Sequence, residues 1–242
     1  MKVSFELLEY FNRPKEEREY ILGEVKKYVE TCERCPNLVQ SRVLYPYGKP
    51  TFGYGNINSP VFFIGEAPGR YGCGTTGIPF NGDRSGDYFQ KMLKEVLGFS
   101  LKEVYTTNIV KCNPENNRTP TEEERNQCMM YLATELHWVQ PYVIVTLGMS
   151  ATKVFMPEIE QFWKVHGRDV VLGDEIVAFG MIEGRGGWKW ENLVPHNALL
   201  YPTWHPAFVM RDPPKLESRY KGEFRRIEKM IQLAYDQWRP RN

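Results

Sequence analysis

The chain has 242 residues, 42% of them apolar, enough for one sizeable core, and its formal net charge of +1 announces no polyanion partner in bulk. No apolar run reaches membrane-spanning length, and Met1-Lys-Val-Ser-Phe-Glu6 lacks the apolar stretch of a secretory signal, so a cytoplasmic location is expected. Five cysteines in a chain of this length do not resemble a small disulfide scaffold, and reduced thiols fit that compartment.

Residues 5–31 carry apolar positions at helical spacing (Phe5, Leu8, Tyr20, Val25, Val29) and read as helical, interrupted at Pro14. Val61-Phe-Phe-Ile64, ending in Gly65, reads as a buried strand. Val104–Val110 and Tyr142–Leu147 are similar runs, and Leu200–Trp204 is a weaker fourth. Helical patterns separate them over Ser85–Leu97, Thr121–Val139, Ser150–Phe155 and Arg219–Trp238, and Thr121 with Glu124 predicts a capping box. Between Lys164 and Pro195 the chain is richer in glycine and charge, with a candidate hairpin of Val170–Leu172 and Ile176–Phe179. Alternating strands and helices predict a three-layer α/β/α fold around a mainly parallel four-stranded sheet, a single domain over residues 1–242 with an N-terminal helical segment. In such sheets ligands bind beyond the carboxyl ends of the strands, where Gly65–Gly69, Asn108–Cys112 and Trp204–Ala207 should converge.

Cys32 and Cys35 form C-x2-C, and Cys112 and Cys128 form C-x15-C. Four thiolates from two distant segments suit a soft metal site, zinc or an iron–sulfur cluster; the plain alternative is thiols with no shared ligand. A C-terminal strip of Arg211, Lys215, Arg219, Lys221, Arg225, Arg226 and Lys229 is either a phosphate-binding track or a solvated helix face.

The glycine-rich loop Gly65-Glu-Ala-Pro-Gly69 fits neither a phosphate-binding P-loop nor a dinucleotide fingerprint. Together with Thr107-Asn-Ile-Val-Lys-Cys112, Asn117-Arg-Thr-Pro120 and His205-Pro-Ala-Phe208, it resembles the uracil-DNA glycosylase superfamily, in particular its iron–sulfur families 4 and 5. The likeness runs from Cys32 to about Asp212. The loop from Gly69 to Gly77 is one residue longer than is usual in family 4, and Phe80-Asn-Gly-Asp-Arg-Ser-Gly86 looks like family 5, which usually lacks the asparagine seen here as Asn108. The chain therefore looks intermediate between the two families.

The resemblance implies hydrolysis of the bond between uracil and deoxyribose, the first step of base excision repair, by a monomer acting on DNA, with nucleoid-associated use. It implies a [4Fe–4S] cluster on Cys32, Cys35, Cys112 and Cys128, with zinc as the alternative, and leaves Cys73 as a spare loop thiol. Asn108 would read the base edge and Phe80 would stack on the extruded base, with Gly65, Ala67 and Tyr71 also lining the pocket. His205 would donate to the base oxygen that gains charge. Ala67 stands where the best-studied branch has an aspartate, so Asp83 is the expected carboxylate for water or the sugar cation, with Glu66 as its alternative. Where family 4 crowds the thymine methyl with an acidic residue, this chain has Arg70, Tyr71, Gly72 and Cys73: either Tyr71 is the gate or the pocket is wider and accepts other deaminated bases. Phe208-Val-Met-Arg211 resembles the loop that wedges into the duplex, with Met210 and Arg211 on DNA. The competing reading is a protein that binds or covalently traps uracil or abasic DNA without turnover.

Overall fold

The computed structural model describes residues 13–44, 48–171 and 198–238. Helices α1 (Lys15–Glu30) and α2 (Pro36–Leu44) flank the first cysteine pair. The chain then runs through β1 (Tyr54–Gly55), β2 (Val61–Gly65), α3 (Cys73–Thr76) and α4 (Arg84–Met92), which ends in a π-turn at Leu93–Leu97. Next come β3 (Tyr105–Asn108), α5 (Glu122–Val139), β4 (Val143–Leu147), α6 (Met149–Lys153) and β5 (Val170–Val171). β6 (Leu199–Thr203), α7 (Pro206–Val209) and α8 (Pro213–Trp238) complete the described fold.

The sheet order is β1-β3-β2-β4-β6-β5. The four central strands are mutually parallel and are the four that the apolar runs predict, whereas β1 and β5 are two-residue antiparallel edges. Alternation along β2 explains the layers, because successive side chains of a strand point to opposite faces. Phe62 and Ile64 join a core with Leu22, Leu38, Leu132 and Phe155, under α1, α2, α5 and α6. Val61 and Phe63 join a second core with Phe89, Met92, Tyr220 and Phe224, under α4 and α8. Every residue of β2, β3 and β4 is buried, which is why these strands read as unbroken apolar or β-branched runs.

One expectation changes, and another falls partly outside the described residues. Val170 and Val171 pair antiparallel with Leu200 and Leu199, while Leu172 and residues 176–179 of the expected hairpin lie outside the described residues. The strand expected through Val110 ends at Asn108, although the Ile109 and Val110 amides still donate to the Gly65 and Glu66 carbonyls at 3.0 Å. The capping box forms as expected: Thr121 Oγ1 accepts from the Glu124 amide at 3.1 Å, and Glu124 accepts from the Thr121 amide at 2.8 Å. Among the described residues no helix is long and apolar enough to cross a membrane.

Candidate active site

Gly65 closes β2 directly beside Asn108, the last residue of β3 and its register partner. A Cβ at Gly65 would stand 2.4 Å from Asn108 Oδ1 and 2.8 Å from the Phe80 ring. Only glycine lets the amide and the ring approach this closely, so the three residues form one wall. Phe80 sits at φ +54°, a conformation that costs a branched-at-Cβ or bulky residue on the order of 1–3 kcal/mol and clusters at ligand sites. Its carbonyl accepts from Gln90 Nε2 at 2.9 Å, and its ring rests on Phe89 with centroids 4.6 Å apart.

His205 follows β6, and its ring centroid lies 6.4 Å from that of Phe80. Its Nδ1 accepts from the Ala207 amide at 3.2 Å, capping the short helix α7. A ring that accepts at Nδ1 carries its proton at Nε2, which leaves a neutral donor. Burial pulls the imidazole down to about 4, against the nearby Asp83 carboxylate, which pushes it up. At neutral pH the ring is uncharged.

Asp83 does two things. Its Oδ1 accepts from the Gly86 amide at 2.8 Å and from Ser85 Oγ at 2.7 Å, which caps α4. Its Oδ2 presses on the Gly69–Gly72 turn, where a Cβ at Gly72 would stand only 2.2 Å away. Its charge is felt at both His205 and Cys73. Glu66 is half-buried, and its Oε1 is buried with no hydrogen-bond partner. A carboxylate oxygen in that position has unused acceptor capacity.

Two loop assignments are corrected. Tyr71, expected in the pocket wall, is 73% exposed, with the Arg70 guanidinium 5.2 Å from its ring centroid. Cys73, expected to be a spare thiol, is 3% exposed and accepts from Asn108 Nδ2 at 3.8 Å. Burial pushes this thiol up to about 12, so it stays protonated. Gly69 and Gly72, where a Cβ would stand 3.0 and 2.2 Å from Asp83 Oδ2, let the turn pass under Asp83 with Tyr71 outward and Cys73 inward. Ala67 packs against the same core as Cys32 and Cys35. Met210 and Arg211 follow α7, half-buried and exposed respectively, beside Phe208 at 42% exposure.

The stretch between Cys112 and Cys128 is scaffolding for the first loop. Asn113 Nδ2 donates to the Pro68 carbonyl at 2.6 Å, and Asn117 Oδ1 accepts from the Arg70 amide at 2.9 Å. Arg118 grips Glu124 through two bonds of 2.8 and 2.6 Å, which hold that carboxyl below its usual range.

Cys32, Cys35, Cys112 and Cys128 line one cavity, with Leu38 and Tyr131 among its walls. The Lys111 amide donates to Cys128 Sγ at 3.2 Å. Burial, with further pushes from neighbouring thiols, raises Cys35, takes Cys112 to about 11 and takes Cys128 to about 12. Such a set becomes thiolate only around a cationic group, so the donors fit a metal centre. Among the described residues, no three His, Cys, Asp or Glu side chains are grouped closely enough to hold a metal ion.

Sequence reasoning missed Lys111 and Glu135, which are 1% and 0% exposed. Lys111 Nζ pairs with Glu135 and donates to Thr107 Oγ1 at 2.7 Å and to the Asn108 carbonyl at 2.8 Å. Glu135 also accepts from the Gly53 amide at 2.6 Å. Burial raises the Glu135 carboxyl, opposed by Lys111. A lysine and a glutamate inside apolar segments were the available signal.

Residues 52–227 match the family described as the uracil DNA glycosylase superfamily. The chain belongs to that superfamily. Among its relatives, the type-4 uracil-DNA glycosylase of Saccharolobus solfataricus is 30% identical over 212 residues, covering 87% of this chain and 85% of the relative. That of Thermotoga maritima is 33% identical over 196 residues, covering 81% of this chain and 86% of the relative. A type-5 uracil-DNA glycosylase of Pyrobaculum aerophilum is 35% identical, but over 52% of this chain and 65% of the relative. This member of the superfamily thus resembles type-4 enzymes along most of its length and type-5 enzymes over about half.

Proposed function

We infer that this protein is a monofunctional glycosylase that removes uracil from DNA by hydrolysis, opening base excision repair. The observation that carries the reading is the convergence of Gly65, Asn108 and Phe80 in one wall, with the neutral His205 ring close by at the same sheet edge. An extruded base stacks on Phe80 and pairs its edge with the Asn108 amide, which offers both a donor and an acceptor. As the bond from C1′ to the base breaks, its electron pair leaves on the base, and His205 Nε2–H donates to the oxygen that gains this charge. Water adds to C1′. Asp83, through Oδ2, is the carboxylate assigned to orient that water and take up its proton, with Glu66 as the alternative acceptor. Cys73, in contact with the Asn108 amide, shapes the pocket wall where Tyr71 was expected.

The four cysteines would hold a [4Fe–4S] cluster. All four line one cavity, which supports a shared soft-metal group, with zinc as the alternative. The cluster would tie the α1–α2 corner to residues 108–112, a structural role outside the cleavage step.

The test is cleavage of uracil-containing duplex and single strands by purified protein, scored as abasic product, alongside iron and acid-labile sulfide analysis. Absence of abasic product at every salt concentration overturns the function, and zinc without sulfide overturns the cluster. His205→Ala and Asn108→Ala should each slow single-turnover cleavage at least about tenfold while binding to abasic DNA persists. Equal loss of binding would make both residues structural.

A further inference from the structure

The basic strip on α8 divides once its partners are known. Lys221 bridges Glu217 at 2.9 Å and Glu95 at 3.3 Å, and Arg226 pairs with Asp169. These two cations are neutralised within the fold. Arg211 and Lys215 are exposed and form no ion pair with a described residue. Arg219 is 66% exposed along its side chain and lies 4.0 Å from Glu223, at the limit of an ion pair. Glu223 Oε2 accepts from Thr203, while its buried Oε1 stands 2.6 Å from His166 Nε2 without a hydrogen bond.

Arg219 is nevertheless held in place. Its guanidinium carbon sits 4.9 Å from the centroid of Trp204. His166 stacks on the same indole with centroids 4.2 Å apart and planes at 22°, and Phe162 backs His166 at 5.4 Å. Trp204 therefore carries two partners on its ring, the buried His166 and the exposed Arg219. Trp204 immediately precedes His205, and Phe208 lies 5.6 Å from its ring. The outer end of the stack is therefore next to the candidate active site, continuous with Phe208 and Arg211.

We propose that Arg219, seated on Trp204, binds a backbone phosphate of the DNA strand on the His205 side of the pocket, with Lys215 and Arg211 continuing the track. A guanidinium presents a rigid fork matched to phosphate oxygens, and stacking on an aromatic face leaves those donors free. Holding the fork in advance removes part of the ordering cost of binding. The chemistry recognised is the phosphodiester rather than any base. This inference rests on the reading that the protein acts on DNA.

The test is binding of a fluorescein-labelled duplex carrying one tetrahydrofuran abasic analogue, titrated across a potassium chloride series. Arg219→Gln should lower the magnitude of the slope of log K against log salt by about one, as expected for one lost phosphate contact. Trp204→Leu should lower it comparably with Arg219 still present, because the seat is gone. Arg225→Gln, one turn and a half further along and lining a cavity with Glu95 and Glu228, should keep the wild-type slope. An Arg219→Gln slope equal to wild type overturns the phosphate contact, and a wild-type slope in Trp204→Leu overturns the role of the stack. An equal drop in Arg225→Gln also overturns the proposal, since the effect would then be one of net charge. Wild-type protein that binds with these slopes but releases no base would fail the glycosylase reading and leave the phosphate contact standing.

Discussion

Residues 108–112 have two differently built neighbourhoods. On the pocket side, the fold alone brings Gly65, Asn108, Phe80 and Cys73 into contact, through a missing Cβ, a positive φ and a hydrogen bond. On the cysteine side, four sulfurs line a cavity, and the one hydrogen bond to them recorded among the described residues that links to this segment comes from the Lys111 amide. On the proposed reading, the pocket is preorganised for a guest that comes and goes. The cysteine corner, where burial raises the Cys112 and Cys128 thiols, would on the proposed reading hold a group that stays. Substitutions on the pocket side should thus act on rate, and those on the cysteine side on stability.

Lys111 spans both sides and gives the strongest way to break this comparison. Its amide touches Cys128 and its ammonium touches the Asn108 carbonyl and Glu135. Lys111→Met leaves the buried Glu135 without its cation, which should cost about 3–5 kcal/mol of stability. Adding Glu135→Leu should recover a large part of that loss, because a paired apolar replacement leaves no buried charge. Thermal denaturation of the two variants checks both statements. If the double variant is no more stable than Lys111→Met, the pair is not the linkage described.

The carboxylate Asp83 sharpens the comparison on the pocket side, with a smaller effect. Asp83→Asn keeps an oxygen to accept from the Gly86 amide, so the helix cap survives while the charge is lost. Asp83→Ala loses both, and should be less stable than Asp83→Asn by about 1 kcal/mol. If Asp83 serves the water, both variants slow single-turnover cleavage alike despite that difference in stability. A slow Glu66→Gln beside a fast Asp83→Asn would transfer the role to Glu66, whose Oε1 is buried and unpartnered.

The parts that were legible in the sequence share a physical reason: they are repeated or local. The central strands are buried on both faces, so they appear as apolar runs, and the Thr121–Glu124 box lies within one turn. The two cysteine pairs announce themselves by spacing. What escaped depends on partners far along the chain or on where a loop turns. Nothing local to Lys111 points to Glu135, 24 residues away. The inward turn of Cys73 depends on Gly72 lying under Asp83, a contact between residues 72 and 83 that spacing alone does not encode. Asp83 itself was legible as a candidate but not as a cap and a pocket group together. Trp204 read as the end of a strand, although its ring is the centre of a stack built from residues 162, 166 and 219.

The pH profile offers the finest test of a preorganised pocket. His205 titrates near 4 because burial disfavours the charged ring more than Asp83 favours it. In the unfolded chain the same ring takes up a proton near the ordinary histidine value, about 6.5. Between these two values the unfolded state binds more protons than the folded state, so this group's contribution to stability is full above about 6.5 and is lost progressively as the pH falls toward 4. The rate should behave differently from the stability. The folded ring stays neutral through that window, so single-turnover cleavage should hold level as the pH falls and drop only near 4. Protonation at Nδ1 would also set two N–H groups against each other where the ring now accepts from Ala207, releasing the cap on α7. The acid limb should persist in Asp83→Asn and Glu66→Gln, which removes both carboxylates as its source. A rate that already falls through pH 6.5 would mean a solvated His205, and the pocket side would then lack the preorganisation that separates it from the cysteine corner.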